Sequence, residues 1–179
     1  LDNPRIPILN RLENLMEKLG LPQVDIKLVK VKTLGRNKQI LSQYDGVCLA
    51  HKLLYDADRE MIAIINLDAK LVPINCSIVS MGILNASVTT PREIIKSSIL
   101  SNAANIILLH NHPSGDPTPS DDDIQLTNRL LKACGIMGIS LVDHIIIGGN
   151  TTDAYSLREN ELINIKPTKH VTINELKFT

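Results

Sequence analysis

Two histidines one residue apart open the stretch His110-Asn111-His112-Pro113-Ser114-Gly115-Asp116-Pro117-Thr118-Pro119-Ser120, which closes on Asp121, Asp122 and Asp123. The apolar run Ile106 to Leu109 before it reads as a buried strand. Side chains alternate along a strand, so His110 and His112 project to one side and can grip one ion together. Three prolines and a glycine then stiffen and turn the chain, which brings the next helix back to the same end of the sheet and offers Asp123 from its first turn. Two neutral imidazoles and one carboxylate suit Zn²⁺. Three protein ligands leave the fourth tetrahedral position to water, the mark of a catalytic and not a structural site.

A second use competes for the same atoms. Ser120 and Asp123 also form the Ser-x-x-Asp pattern of a helix N-terminus, and a carboxylate on a metal cannot also close that capping box fully. Asp121 and Asp122 read as first-turn acids favoured by the helix dipole. Asn111 faces away from the two imidazoles and is given a structural or loop-bracing role. His144, behind Asp143 at the head of another apolar run, reads as a satisfied core histidine, with support of a zinc ligand as the alternative.

Holding such a loop requires a sheet with helices around it. Met61 to Leu67, the turn Asp68-Ala69-Lys70 and Leu71 to Val79 predict a hairpin. Ser140 to Ile147 predicts a strand that ends at Gly148-Gly149. Helices are expected around Val47 to Leu54, from Pro91 onward, and over Ser120 to Ala133 with Gly135 as the stop. In Thr90-Pro91-Arg92-Glu93 a cap residue, a first-turn proline and a glutamate three after the cap mark the start of the second helix. The class is therefore α/β or α+β, with a central mixed sheet flanked by helices. Ahead of it, residues 8 to 20 have helical spacing, and Ile26 to Val31 suggest a strand in a basic stretch, Lys27 to Lys38, read as an edge guarded by lysines.

Composition narrows the function. A chain of 179 residues accommodates one domain with appendages, and 44% apolar with 21% charged residues is ordinary globular usage. Nineteen basic residues cancel nineteen acidic ones, and the aromatics are three tyrosines, one phenylalanine and no tryptophan. Neither a polyanion-binding excess nor a base-stacking platform is available, so nucleic acid is not the favoured partner. Cys48, Cys76 and Cys134 show no paired spacing and read as buried small apolar residues of a reducing compartment. The apolar runs are too short for a membrane span, and a cytoplasmic protein is expected.

The spacing His-x-His, seven residues, Ser-x-x-Asp resembles the zinc motif of the JAMM (MPN/JAB) metalloprotease family. The longer series His110 to Gly115, Pro119-Ser120, Asp123 and Asp143-His144 is similar to its RadC-type branch, as are Asn85, Pro91-Arg92-Glu93 and Ser156-Leu157-Arg158-Glu159. The resemblance implies a JAB/MPN-like (cytidine-deaminase-like) architecture over residues 45–160, between an accessory region 1–44 and a tail 161–179. It makes His110, His112 and Asp123 the zinc ligands and Ser120 a hydrogen-bonding partner of the reacting oxygen. It also requires an upstream glutamate as general acid/base, at the start of a buried strand. Glu60 matches that setting. Glu93 is the rival, and the expected capping box gives it another task.

On that basis the expected activity is hydrolysis of a peptide or isopeptide amide by metal-activated water. The expected partner is a protein or peptide substrate, with a homodimer compatible. Two alternatives stand beside it. One is a RadC-like DNA-repair-associated or interaction module with a structural or inactive metal site, using the basic stretch as its contact surface. The other is a metal-dependent phosphodiesterase, for which no second-metal cluster is visible beyond Asp121 and Asp122.

Overall fold

A computed structural model describes residues 38–82 and 89–163, together with residues 11, 14–15, 20 and 24–31. The first helix, α1 (Gln43–Leu54), starts four residues before the expected Val47. A reciprocal box that sequence reading passed over fixes its start. The Asp45 amide donates to Ser42 Oγ at 3.3 Å, and the Ser42 amide donates to Asp45 Oδ2 at 3.0 Å. Gly46, Ala50 and Leu54 form its buried face. A Cβ at Gly46 would stand 2.5 Å from Ile145 Cδ1, so glycine is what lets this helix lie close on the sheet.

The expected hairpin is present as β1 (Met61–Leu67) and β2 (Pro73–Met81). Asp68 Oδ1 holds its turn by accepting from the amides of Lys70 at 2.7 Å and Val72 at 2.9 Å. Next come α2 (Pro91–Leu100), β3 (Asn105–Asn111), α3 (Asp121–Met137), β4 (Ser140–Ile147) and a short β5 (Ala154–Ser156). The five strands lie in the order β2-β1-β3-β4-β5. All pairs are antiparallel except β3 with β4, and α3 supplies the crossover that a parallel pair needs.

The sheet is mixed and covered on both faces, so the fold is α/β as expected. Ile62, Ile64, Ile106, Leu108 and Leu141 pack with Ile94 of α2 and Leu130 of α3. Ala63, Ile65, Ile107, Leu109 and Ile145 pack with Ala50 and Leu54 of α1. Central strands buried on both faces read as unbroken apolar runs, which is why β1 and β3 are legible.

Several expectations need correction. The α3 helix runs through Gly135 and ends at Gly138, whose φ of 68° supplies the left-handed cap. Residues 24–31 are exposed and take no strand pairing, so the expected edge strand is absent there. Of the cysteines only Cys134 is buried; Cys48 is exposed and Cys76 half-buried. Sequence reading missed β5, which is three residues long and pairs with Ile145 to Ile147. Asn85, most of the expected helix 8–20 and the tail from residue 164 lie outside the described residues.

Candidate metal centre

The centre forms where β3 ends and α3 begins. His110 is the penultimate residue of β3, and the ladder continues one step further, because the His112 amide donates to Ile147 O at 2.9 Å. Alternation therefore keeps both imidazoles on the face covered by α2 and α3. Their rings meet edge to face with centroids 4.7 Å apart. The loop after them is seated on Gly148 and Gly149. A Cβ at Gly148 would run into the Gly115 carbonyl oxygen, and one at Gly149 would stand 3.0 Å from the His112 carbonyl oxygen. The glycine pair that marks a strand end in the sequence is thus also the floor under the ligand loop.

Asp123 reaches the imidazoles from the first turn of α3. Its Oδ1 lies 3.0 Å from His110 Nδ1, and its Oδ2 lies 3.4 Å from His112 Nε2. One ligand atom from each of the three residues falls within 4.8 Å of the others, the spacing of donors around one cation. The capping box is nevertheless closed. Oδ2 accepts from the Ser120 amide at 2.8 Å and from the Ser120 hydroxyl at 2.6 Å, and the Asp123 amide donates to Ser120 Oγ at 3.2 Å. The expected competition is resolved by division of labour, with Oδ2 capping the helix and Oδ1 facing His110.

Tautomers follow from the partners. His112 Nδ1 lies 2.8 Å from the Asp116 carbonyl oxygen, which can only accept, so Nδ1 carries the proton and Nε2 presents its lone pair to the centre. Both ring nitrogens of His110 are buried without a hydrogen-bond partner, and the 3.0 Å approach of Nδ1 to Asp123 is out of line for one. Buried nitrogen without a partner is costly, and a metal ion would resolve that cost. The donor set of two imidazoles and one carboxylate fits zinc.

Charge agrees with geometry. Burial pushes the Asp123 carboxyl up, but the adjacent His110 and His112 rings and the Ser120 hydroxyl outweigh it and hold the group far below the ordinary carboxylate range. The adjoining Asp123 carboxylate is the main reason His112 is raised; burial opposes it, and the Asp116 carbonyl and the Glu60 charge add to it.

His144 is fully buried behind the centre, its ring stacked 6.1 Å from that of His110. Thr127 Oγ1 donates to the Asp123 carbonyl oxygen at 2.6 Å, so at 2.7 Å it accepts from His144 Nδ1. The alternative reading of this histidine thus has a physical form, since through Thr127 it braces the turn that carries Asp123. Burial, with the nearby His110 also disfavouring charge, pushes it down to about 3.

Glu60 directly precedes β1. The register pairs Ile62 with His110 and Met61 with Asn111, so one further step sets Glu60 across from His112 on the same face. Glu93 behaves differently from expectation. Thr90 makes no side-chain cap, and Glu93 pairs instead with Lys96 at 2.6 Å and Arg92 at 3.4 Å on the surface of α2. Asn111, fully buried on the opposite face, accepts from the Met61 amide at 2.8 Å through Oδ1 and donates to Arg59 O at 3.0 Å through Nδ2.

The family model for the RadC-like JAB domain matches residues 40–162. The chain belongs to that family. Relatives of this RadC-like JAB domain include a "UPF0758 protein" of Clostridium beijerinckii, 40% identical over 145 residues, which are 81% of this chain and 62% of that one. Another, from Desulforamulus reducens, is 44% identical over 151 residues, or 78% of this chain and 66% of that one. The chain thus spans somewhat under two thirds of the length of these curated relatives. Among the described residues no helix is long and apolar enough to cross a membrane.

Proposed function

We propose that this RadC-like JAB domain is a zinc-dependent hydrolase of the JAMM type that cuts a peptide or isopeptide amide bond. The observation that carries the proposal is the unpartnered, buried His110 facing Asp123 and His112, with Glu60 across the strand pair from His112. Zinc held by His110, His112 and Asp123 would supply a water acidified towards a pKa of about 7 and a Lewis acid for the scissile carbonyl.

The chain's own residues do the rest. The Glu60 carboxylate takes a proton from the attacking water and delivers it to the leaving nitrogen, the usual work of a carboxylate at such a centre. The Ser120 hydroxyl donates to the oxygen that becomes negative. In the structure this hydroxyl is spent on Asp123 Oδ2, so it must rotate to do so. The bond from His112 Nδ1 to the Asp116 carbonyl keeps Nε2 free to act as a ligand.

Metal analysis of chain purified without chelator should find about one zinc per molecule, and His112→Ala should lose it. In a peptide-library cleavage screen Glu60→Gln should keep zinc and lose turnover by about 10²–10⁴-fold. Zinc-free wild-type protein, or full turnover in Glu60→Gln, would overturn the proposal.

A further inference from the structure

We infer that Asn111 is a positioning residue for Glu60 and grips it from the face of the sheet opposite to the one on which Glu60 works. This rests on the reading of Glu60 as the proton carrier. The Glu60 side chain makes no hydrogen bond or ion pair with any described residue, and its charge acts on His112. The direction in which it leaves the strand is therefore set by its backbone. Among the neighbouring side chains, that of Arg59 turns to the surface and pairs with Asp58 at 2.7 Å.

The two peptide groups that flank Glu60 are both tied to one side chain. Asn111 Nδ2 donates to the Arg59 carbonyl oxygen, on the peptide before Glu60, and Oδ1 accepts from the Met61 amide, on the peptide after it. With both planes pinned, φ and ψ of Glu60 have little room to vary. The Gly82 amide secures the remaining edge by donating to Glu60 O at 2.9 Å. Asn111 lies between the two histidines, so the residue that separates the ligands also sets where the carboxylate stands relative to them. An amide is the side chain that suits this task. It offers one donor and one acceptor on a short stem, whereas a carboxylate lacks the donor and a longer Gln would overshoot.

The experiment uses the full chain as wild type, Asn111→Ala and Asn111→Asp. Hydrogen exchange at the Met61 amide, followed by NMR on metal-free protein, reads the clamp. Relaxation of the Glu60 side-chain carbons by Co²⁺ in the zinc site reads the distance to the metal. In Asn111→Ala the Met61 amide should exchange about tenfold faster. Glu60 should also lose its Co²⁺-induced relaxation while Co²⁺ still binds. Asn111→Asp keeps the acceptor and should restore Met61 protection, with Glu60 between the two extremes. Against any peptide that wild type cleaves, Asn111→Ala should lower kcat by ~10–100-fold with KM unchanged. Folded Asn111→Ala with unaltered Met61 exchange and Glu60 relaxation, or Asn111→Asp no better than Asn111→Ala, would refute the inference. Failure of wild type to bind Co²⁺ would count against the hydrolase reading and leave the exchange measurement to decide the clamp.

Discussion

Two buried aspartates in this molecule have opposite surroundings. Asp143 on β4 receives hydrogens from both sides, the Ser156 hydroxyl at 2.7 Å and the Arg158 amide at 3.1 Å. Burial is the main influence on it and raises its carboxyl. Asp123 receives hydrogens from Ser120 on one oxygen only and turns the other towards a ring nitrogen without a partner. Burial of an acid is therefore not what makes a metal site. The neighbours decide: donors complete the Asp143 carboxylate, whereas the Asp123 oxygen that meets an unpartnered ring nitrogen borders a gap that a cation could fill.

The contrast can be broken most forcefully at the carboxylates themselves. Asp123→Ala should abolish zinc binding in equilibrium dialysis, while Asp143→Ala should keep zinc and lose stability by roughly 1–3 kcal/mol in denaturant titration, because the Ser156 and Arg158 donors are left unmet. Zinc lost equally from both variants would erase the distinction. A smaller effect is expected beneath the ligand loop. Gly148→Ala pushes on Gly115 and should weaken zinc by about 10–100-fold without unfolding the chain, as measured by competition with a chromophoric chelator.

The smallest effect is one of pH. His144, pushed down to about 3, stays neutral where a histidine of the unfolded chain takes a proton, near 6.5. Its contribution to stability is complete above about 6.5 and shrinks as the pH falls, by under about 1 kcal/mol between pH 7 and 6. Asp143 works in the other sense. The stability it lends is present below its unfolded value and is lost as the pH rises through the folded one. NMR titration of the histidine rings should show His144 unprotonated down to pH 5; a ring that takes up a proton in that range would contradict the packing behind His110.

The meeting of His110, His112 and Asp123 was legible because metal chemistry restricts residue type and spacing at once, and β1 and β3 because strands covered on both faces spell long apolar runs. The Ser120-x-x-Asp123 pattern was legible too, yet how Asp123 divides its two oxygens between the cap and the histidines was not, since that depends on which oxygen points where. Glu93 was misread because a local pattern, Thr-x-x-Glu, was assigned a cap that a lysine one turn along overrides. The start of α1 was missed because the apolar spacing that marks this helix begins only at Val47, beyond the Ser42-x-x-Asp45 box, and β5 because three residues carry no period. The grip of Asn111 on residues 59 and 61 joins positions about 50 apart in the chain, and only the strand register brings them together.

The capping role of Asp123, beside its place facing the two histidines, bears on how such chains are to be read. A descendant that had given up its metal would still gain stability from a carboxylate at position 123 where α3 begins, so selection for folding would favour keeping it. The aspartate by itself therefore says little about whether a centre is alive. His110, whose buried ring nitrogens the fold leaves without partners and would gain by replacing, is the more telling sign of continued use.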